Sequence, residues 1–267
     1  MPLVGDESSQ HADPLKLLEV ALAAARGAGE ILLRHRREGG ALVGTKSSDT
    51  DPVTEADLAA EQSIRNLLAE RRPDDGILGE EGGGHDGTSG LRWVVDPLDG
   101  TVNFSFDLPQ WCVSVACEDE QGVLCGVVLD PVAAEEFSAA RGHGATLNGQ
   151  PITGSERTDL ATALVATGFG YDADQRRRQA ELVAGLIGEV RDIRRLGAAA
   201  LDLAFAACGR CDIYFEHGTQ PWDVAAGSLI CEEAGLVVRP LHTEGLPAGV
   251  LAAPAGLVDA LQERLAG

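Results

Sequence analysis

Between Leu15 and about Arg37, the polar residues Lys16, Glu19, Arg26, Glu30 and Arg34 recur at helical spacings. They stand opposite Leu18, Val20, Ala25 and Leu32 or Leu33, so the segment predicts an amphipathic helix whose apolar stripe faces a core. Asp13-Pro14 supplies a cap and a first helical residue, and Gly39-Gly40 ends the run. After a polar stretch holding Lys46, Ser47, Ser48 and Asp49, Thr54-Glu55-Ala56-Asp57 has the spacing of a capping box. It opens a second helix to about Arg72, stopped by the turn Pro73-Asp74-Asp75-Gly76. The period then shortens. Ile77-Leu78, Trp93–Val95, Cys112–Cys117, Val123–Leu129 and Glu136–Ala140 read as strands, with Gly82–Gly90 as a glycine-rich loop. Ala145–Leu147 and Pro151–Thr153 flank an Asn148-Gly149 hairpin turn.

After about residue 155, strands and helices alternate. Strands are expected at Leu164–Thr167, Ile193–Arg195, Ile213–Glu216, Leu236–Arg239 and Val250–Ala253. Helices are expected at Asp174–Gly188, Ala198–Cys208, Trp222–Ala234 and Ala255–Ala266. The fold class is therefore α/β in a layered, α+β arrangement. We expect a loose tail over 1–13, an α+β subdomain over 14–153 and an α/β subdomain over 154–267, with a cleft between the two as the natural place for a site.

Composition narrows the function. The 267 residues are 44% hydrophobic and 24% charged, ordinary for a globular chain, but 42 Asp and Glu stand against 21 Lys and Arg. A net charge of −21 argues against nucleic-acid or anionic-membrane binding, because phosphate backbones select basic faces. No run of about 18 apolar residues suggests a membrane span, and the acidic, polar N-terminus is unlike a signal peptide; the expected location is cytoplasmic. Of six cysteines, only Cys208 and Cys211 form a C-x-x-C spacing, without a second pair or a nearby histidine, so all six are expected as unpaired thiols.

The chemistry concentrates in Trp93-Val94-Val95-Asp96-Pro97-Leu98-Asp99-Gly100-Thr101. A buried strand ends in Asp96, Pro97 bars regular pairing, and two aspartates three apart can converge with the carbonyl between them on a hard cation such as Mg²⁺. The amides of Gly100 and Thr101 can face a phosphate oxygen. An Asp-Pro turn followed by an Asp-Gly turn is the plainer reading. Glu80-Glu81 reads alone as a solvated acidic turn, Asp223 as a helix first-turn acid, and Thr54 with Asp57 as a helix cap. Together, Glu80, Asp96, Asp99 and Asp223 supply more negative charge than a cleft without cations would hold at ordinary pKa values. Two or three Mg²⁺ ions would neutralise it and present a positive face to a phosphate ester.

Gly79-Glu80-Glu81, Asp96-Pro97-Leu98-Asp99-Gly100-Thr101 and Trp222-Asp223-Val224-Ala225-Ala226-Gly227 resemble, in order and separation, the three signature motifs of the inositol monophosphatase family. The resemblance spans about Leu15 to Gly267 and is nearest to the bacterial branch, particularly that of high-GC actinobacteria. It implies alternating α-β-α-β-α layers, magnesium dependence and inhibition by lithium. Glu80, Asp96 and the Leu98 carbonyl match the family's first metal site, and Asp96, Asp99 and Asp223 match the second. Glu80 matches a contributor, through water, to a weaker third. Thr101 and Asp57 match the pair that orients the nucleophilic water, and the Gly100 and Thr101 backbone matches the phosphate cradle. Glu216, Gly197, Ala198 and Ala199 match the sugar pocket, Arg194 a substrate contact of bacterial members, and Asp99 and Asp223 acceptors for hydroxyls beside the ester. Lys46 falls in the family's active-site loop. The glycine run after Glu81 and Pro221 before Trp222 depart from many relatives without touching a ligand.

The resemblance implies hydrolysis of myo-inositol 1-phosphate by direct in-line attack of a metal-activated water, without a phosphoenzyme, in a homodimer. The same superfamily also offers histidinol phosphate, fructose 1,6-bisphosphate or 3′-phosphoadenosine 5′-phosphate as the monoester. From other classes, the alternatives are a regulatory partner in transcription or ribosomal RNA maturation and an acidic cation-binding protein without turnover.

Overall fold

The computed structural model describes residues 13–38, 42–45 and 52–266, so most of the expected 1–13 tail and Lys46 lie outside the described residues. In chain order the elements are α1 (Pro14–Glu38), β1 (Leu42–Thr45), β2 (Pro52–Thr54), α2 (Glu55–Arg71), β3 (Gly76–Gly79), β4 (Gly83–His85), β5 (Arg92–Asp99) and α3 (Thr101–Ser105). There follow β6 (Cys112–Asp119), β7 (Gly122–Asp130), β8 (Glu135–Ala140), β9 (Ala145–Leu147) and β10 (Gln150–Ile152). The second half runs β11 (Leu164–Thr167), α4 (Ala173–Leu186), β12 (Asp192–Arg194), α5 (Ala199–Ala207), β13 (Ile213–His217), α6 (Pro221–Glu233), β14 (Val237–Leu241), β15 (Gly249–Ala253) and α7 (Val258–Ala266).

An eight-stranded sheet is ordered β10-β9-β8-β7-β6-β5-β3-β4, and a five-stranded sheet β12-β11-β13-β15-β14. Most neighbours are antiparallel; β3 with β5, and β11 with both β12 and β13, are parallel. The continuous apolar runs have a direct cause. Successive side chains leave opposite faces of a strand, and both faces of both sheets are covered. On β6, Val113, Val115 and Cys117 join the core under α1 and α2, whereas Cys112 and Ala116 join the core built from α5 and α6. On β13, Tyr214 joins that same middle core, and Ile213 and Phe215 pack beneath α4 and α7 with Leu186, Leu261 and Leu265. Helices, sheet, helices, sheet, helices is thus the layer order, the α-β-α-β-α sandwich expected from the motifs. The middle core draws on residues of both halves of the chain, from Val94 to Ala252. No described helix is long and apolar enough to cross a membrane.

The two opening helices and most strands stand within a few residues of their expected bounds. The differences have local causes. The β1–β2 ladder, the all-exposed glycine strand β4 and the five-residue α3 are too short to carry a period, and β4 is held by backbone pairing to β3. The last helix starts at Val258 rather than Ala255, after a turn in which Leu257 N donates to Pro254 O at 2.9 Å. At Asn148-Gly149 both residues have positive φ, 50° and 74°, the conformation a two-residue hairpin turn requires. All six cysteines are unpaired thiols.

Asp75, 3% exposed at the entry to β3, anchors this end of the sheet. It accepts from the indole N–H of Trp93 at 2.9 Å, the Ser89 hydroxyl at 2.7 Å and Arg72 Nε at 2.7 Å. Burial pushes its pKa up, but the Arg72, Ser89 and Trp93 hydrogen bonds outweigh that and hold it below the usual carboxylate range. Asp75→Asn should cost about 3 kcal/mol in a denaturant titration at pH 7. A folded pKa below the unfolded value means the carboxylate stabilises above the unfolded pKa, near 3.9, and ceases to as pH falls through the folded value. The gap between wild type and variant should therefore narrow below about pH 4, and a gap independent of pH would contradict the assignment.

Candidate active site

Two strand ends build the floor of the site. β3 and β5 run parallel with Gly79 opposite Val95, so Glu80 and Asp96 leave the sheet side by side. Glu80 N donates to Val95 O at 3.2 Å. Asp96 pairs with Ser114 and Asp99 with Cys112, three steps on β5 against two on β6. This bulge falls at Pro97, which has no N–H to give the ladder. In a regular strand residues three apart face opposite sides; the extra residue lets Asp96 and Asp99 line one cavity while the Leu98 side chain is buried beneath. Leu98 N donates to Asp96 Oδ1 at 3.0 Å. Gly100 follows at φ 91°, and a Cβ there would lie 2.9 Å from Gln110 O, so the turn into α3 needs glycine on both counts.

Two helices add their N-termini. On α2, Asp57 accepts from Thr54 N at 3.0 Å and from the Thr54 hydroxyl, while Thr54 Oγ1 accepts from the Ala56 and Asp57 amides. The other oxygen of Asp57 faces Thr101 Oγ1 at 3.2 Å, and the Leu98 carbonyl faces the same hydroxyl at 2.9 Å. With its one proton directed at these acceptors, the Thr101 oxygen keeps lone pairs for a donor in the cavity. On α6, Asp223 accepts from Gln220 N at 2.6 Å. Asp57 and Asp223 are therefore helix caps and site residues together. α5 lacks a side-chain cap of its own, and Asp99 supplies one from across the chain, accepting from Ala200 N at 2.7 Å.

These groups open on a cavity of about 490 Å³, lined by Glu80, Asp96, Leu98, Asp99, Gly100, Thr101, Gly197, Ala199, Glu216 and Asp223 among others. Its lining is rich in carboxylates and also includes Arg195. Burial pushes Asp99 up to about 6 despite the bonds from the Ala200 and Ala199 amides. Burial, then the charge of Asp99, raises Asp223 well above the usual carboxylate range. Glu216 is pushed up to about 7 by burial, against a 2.9 Å hydrogen bond from the Tyr214 hydroxyl. Among the described residues, no three His, Cys, Asp or Glu side chains stand close enough to hold an ion as they are. The donor chemistry nonetheless fits one. Every candidate ligand is an oxygen, as hard divalent cations require, and a cation would offset the burial that raises Asp99 and the burial and neighbouring charges that raise Asp223.

Two residues expected in the sugar pocket stand elsewhere. Arg194 points away, its guanidinium 2.6 Å from Asp192 on the same strand, and Arg195 lines the cavity in its place. Adjacent residues at a strand end face opposite ways, so the Arg-Arg pair could not send both inward. Ala198 is buried, 2% exposed, beneath Gly100 at the start of α5 and does not line the cavity. Gln175 and Tyr171 also line it without having been singled out for it, and His217, expected at the pocket rim from its place beside Glu216, lines it too. Burial lowers the pKa of His217, whose Nε2 lies 2.8 Å from Thr243 Oγ1. Asp202, on the apolar helix α5, is fully buried with neither oxygen hydrogen-bonded among the described residues; burial and the charges of Glu216 and Asp99 raise its pKa well above normal. It closes the Arg194-to-Asp202 segment that resembles the family's sugar-pocket lining, where every residue between Arg195 and Asp202 is small or apolar.

Residues 13–267 match the model of the inositol monophosphatase family. The inositol-1-monophosphatase of Mycobacterium leprae is 42% identical over 93% of each chain. The Nus factor SuhB of Pseudomonas aeruginosa is 43% identical over 83% of this chain and 84% of its own. The crystal structure of the extragenic suppressor protein suhB from Bartonella henselae superposes with a TM-score of 0.87 at 35% identity, covering 94% of this chain and 98% of that one.

A Cβ on Gly168 would lie 1.9 Å from Glu216 Oε2, whereas one on Gly185, inside α4, would meet nothing within 4 Å. Gly168→Ala should cost about 1–3 kcal/mol as Glu216 is forced from its place, and Gly185→Ala should gain about 0.5–1 kcal/mol. Denaturant titration of both checks this; a neutral Gly168→Ala would contradict the packing of Glu216.

Proposed function

The chain belongs to the inositol monophosphatase family, and on that premise we propose that it is a Mg²⁺-dependent phosphate monoester hydrolase acting on myo-inositol 1-phosphate. The observation that carries this reading is the gathering of Glu80, Asp96, Asp99 and Asp223 around one cavity, where burial raises the pKa of Asp99 and where burial and the charges of Asp99, Glu80 and Glu216 raise that of Asp223. Glu80, Asp96 and the Leu98 carbonyl would hold one ion, and Asp96, Asp99 and Asp223 a second. Bound there, divalent cations supply Lewis-acid charge stabilisation for the phosphoryl oxygens and lower the pKa of water.

The chain's own groups do the positioning. Thr101, its proton committed to Asp57 or the Leu98 carbonyl, accepts from a water and orients it for in-line attack on phosphorus. Asp57, buried and fixed by the Thr54 cap, keeps that hydroxyl in place. The amides at Gly100 and Thr101, at the cavity wall, face the phosphoryl oxygens. Among the described residues no serine, cysteine or lysine lines the cavity, and the Thr101 hydroxyl proton is held by Asp57 or the Leu98 carbonyl, which favours water over Thr101 as the attacking group. Glu216, fixed by Tyr214, accepts from ring hydroxyls, and Gly197 and Ala199 leave room for the ring. Arg195 adds a cation on the sugar side in a lining otherwise rich in carboxylates.

A second role as a partner in transcription is supported by the name of the Pseudomonas aeruginosa relative. The net charge of −21 favours a protein partner over nucleic acid for such a role.

Phosphate release from myo-inositol 1-phosphate should require Mg²⁺. Asp96→Asn should lower it by about 10³-fold or more while circular dichroism and the melting curve stay close to wild type. Turnover near wild type in that variant would remove Asp96 from the site. Release without added Mg²⁺, undiminished by a chelator, would overturn the cation dependence.

A further inference from the structure

Glu61 lies on α2 one helical turn after Asp57, on the same inward face, and is 2% exposed without lining the cavity. A buried carboxylate is costly unless donors satisfy it, and the donors here are unusual. Oε2 accepts the backbone N–H of Glu81 and Oε1 that of Gly82, both at 2.8 Å. Arg65, one turn further on, donates from Nε to Glu61 Oε1 at 2.6 Å and from Nη2 to Gly83 O at 2.5 Å. The approach is tight: a Cβ on Gly79 or Gly82 would lie 2.7 or 2.6 Å from Glu61 Oε1.

We propose that Glu61, held by Arg65, is the positioning residue that sets Glu80 for cation binding; this rests on the reading of Glu80 as a cation ligand. Glu80 sits between the sheet and a glycine-rich turn that by itself leaves the backbone many conformations. On one side, Glu80 N is tied to Val95 O at 3.2 Å. On the other, Glu61 fixes the next two amides and so the backbone that aims the Glu80 side chain. The same helix presents Asp57 to Thr101 at 3.2 Å. α2 therefore sets two parts of the site in register: the hydroxyl that orients water and the carboxylate that meets the cation. Fixing ligands through buried hydrogen bonds in this way governs metal affinity in other proteins.

Calorimetric titration of the purified full chain with Mn²⁺, alongside kcat at saturating Mg²⁺ and the melting temperature without cation, tests this. Glu61→Gln turns one acceptor into an N–H₂ facing a backbone N–H, and should raise the Mn²⁺ dissociation constant about 10–100-fold with kcat at saturation changed only a few-fold. Arg65→Gln, which leaves both amide bonds to Glu61 possible, should shift it in the same direction by less, and decides the matter if Glu61→Gln does not fold. Unchanged Mn²⁺ affinity with a lowered melting temperature would overturn the proposal and leave Glu61 a structural residue. So would an equal loss of affinity in Asp75→Asn, which destabilises the fold away from this turn. A wild-type chain that binds no Mn²⁺ would overturn the reading of Glu80 itself.

Discussion

Like charges buried within reach of one another are the constraint around which this molecule is organised. The charge of Asp99 raises the pKa of Asp223, Glu80 and Glu216 add to that effect, and burial supplies the largest share for both Asp99 and Asp223. A fold holds such a group only where something offsets its repulsion. Part of the offset is internal: the first turn of α5 donates to Asp99, and the start of α6 to Asp223. The remainder is left to what the cavity binds.

The layers exist to bring these residues together. Parallel pairing of β3 with β5 sets Glu80 beside Asp96, and the bulge at Pro97 turns Asp99 to the same side. The two helices sandwiched between the sheets deliver Asp223 and the capped start of α5, because their apolar faces have core on both sides. On the outer layer, α2 carries Asp57 and Glu61 on its buried face. The residues that make the helices start are in several cases the residues that make the site, so local folding and site assembly share the same hydrogen bonds.

That sharing explains what could be read from the sequence. Asp57 and Asp223 each have a complete local explanation as the third residue of a capped helix, and the structure shows both to be caps. Only the joint pattern with Glu80 and the Asp96–Asp99 segment points beyond the caps. Long periodic segments such as α1, and strands with a core on each face, were legible because burial writes a period into the residues. The β1–β2 ladder and β4 were not, since three or four residues paired by backbone leave no such mark. Arg194 and Arg195 were indistinguishable by type, and the facing was settled by strand geometry and the Asp192 pair. Glu61 was spaced four residues from Asp57, but a polar residue at that interval in a helix reads as a solvated face until its burial is seen.

The central claim is that Glu80, Asp96, Asp99 and Asp223 share divalent cations. Anomalous diffraction from crystals of the protein soaked in Mn²⁺ tests it most directly. Peaks are expected within coordination distance of Asp96 and of Asp99 or Asp223, with Glu80 reaching at least one of them. Saturating Mn²⁺ that leaves this cavity without a peak, or binds only at surface carboxylates, would contradict it.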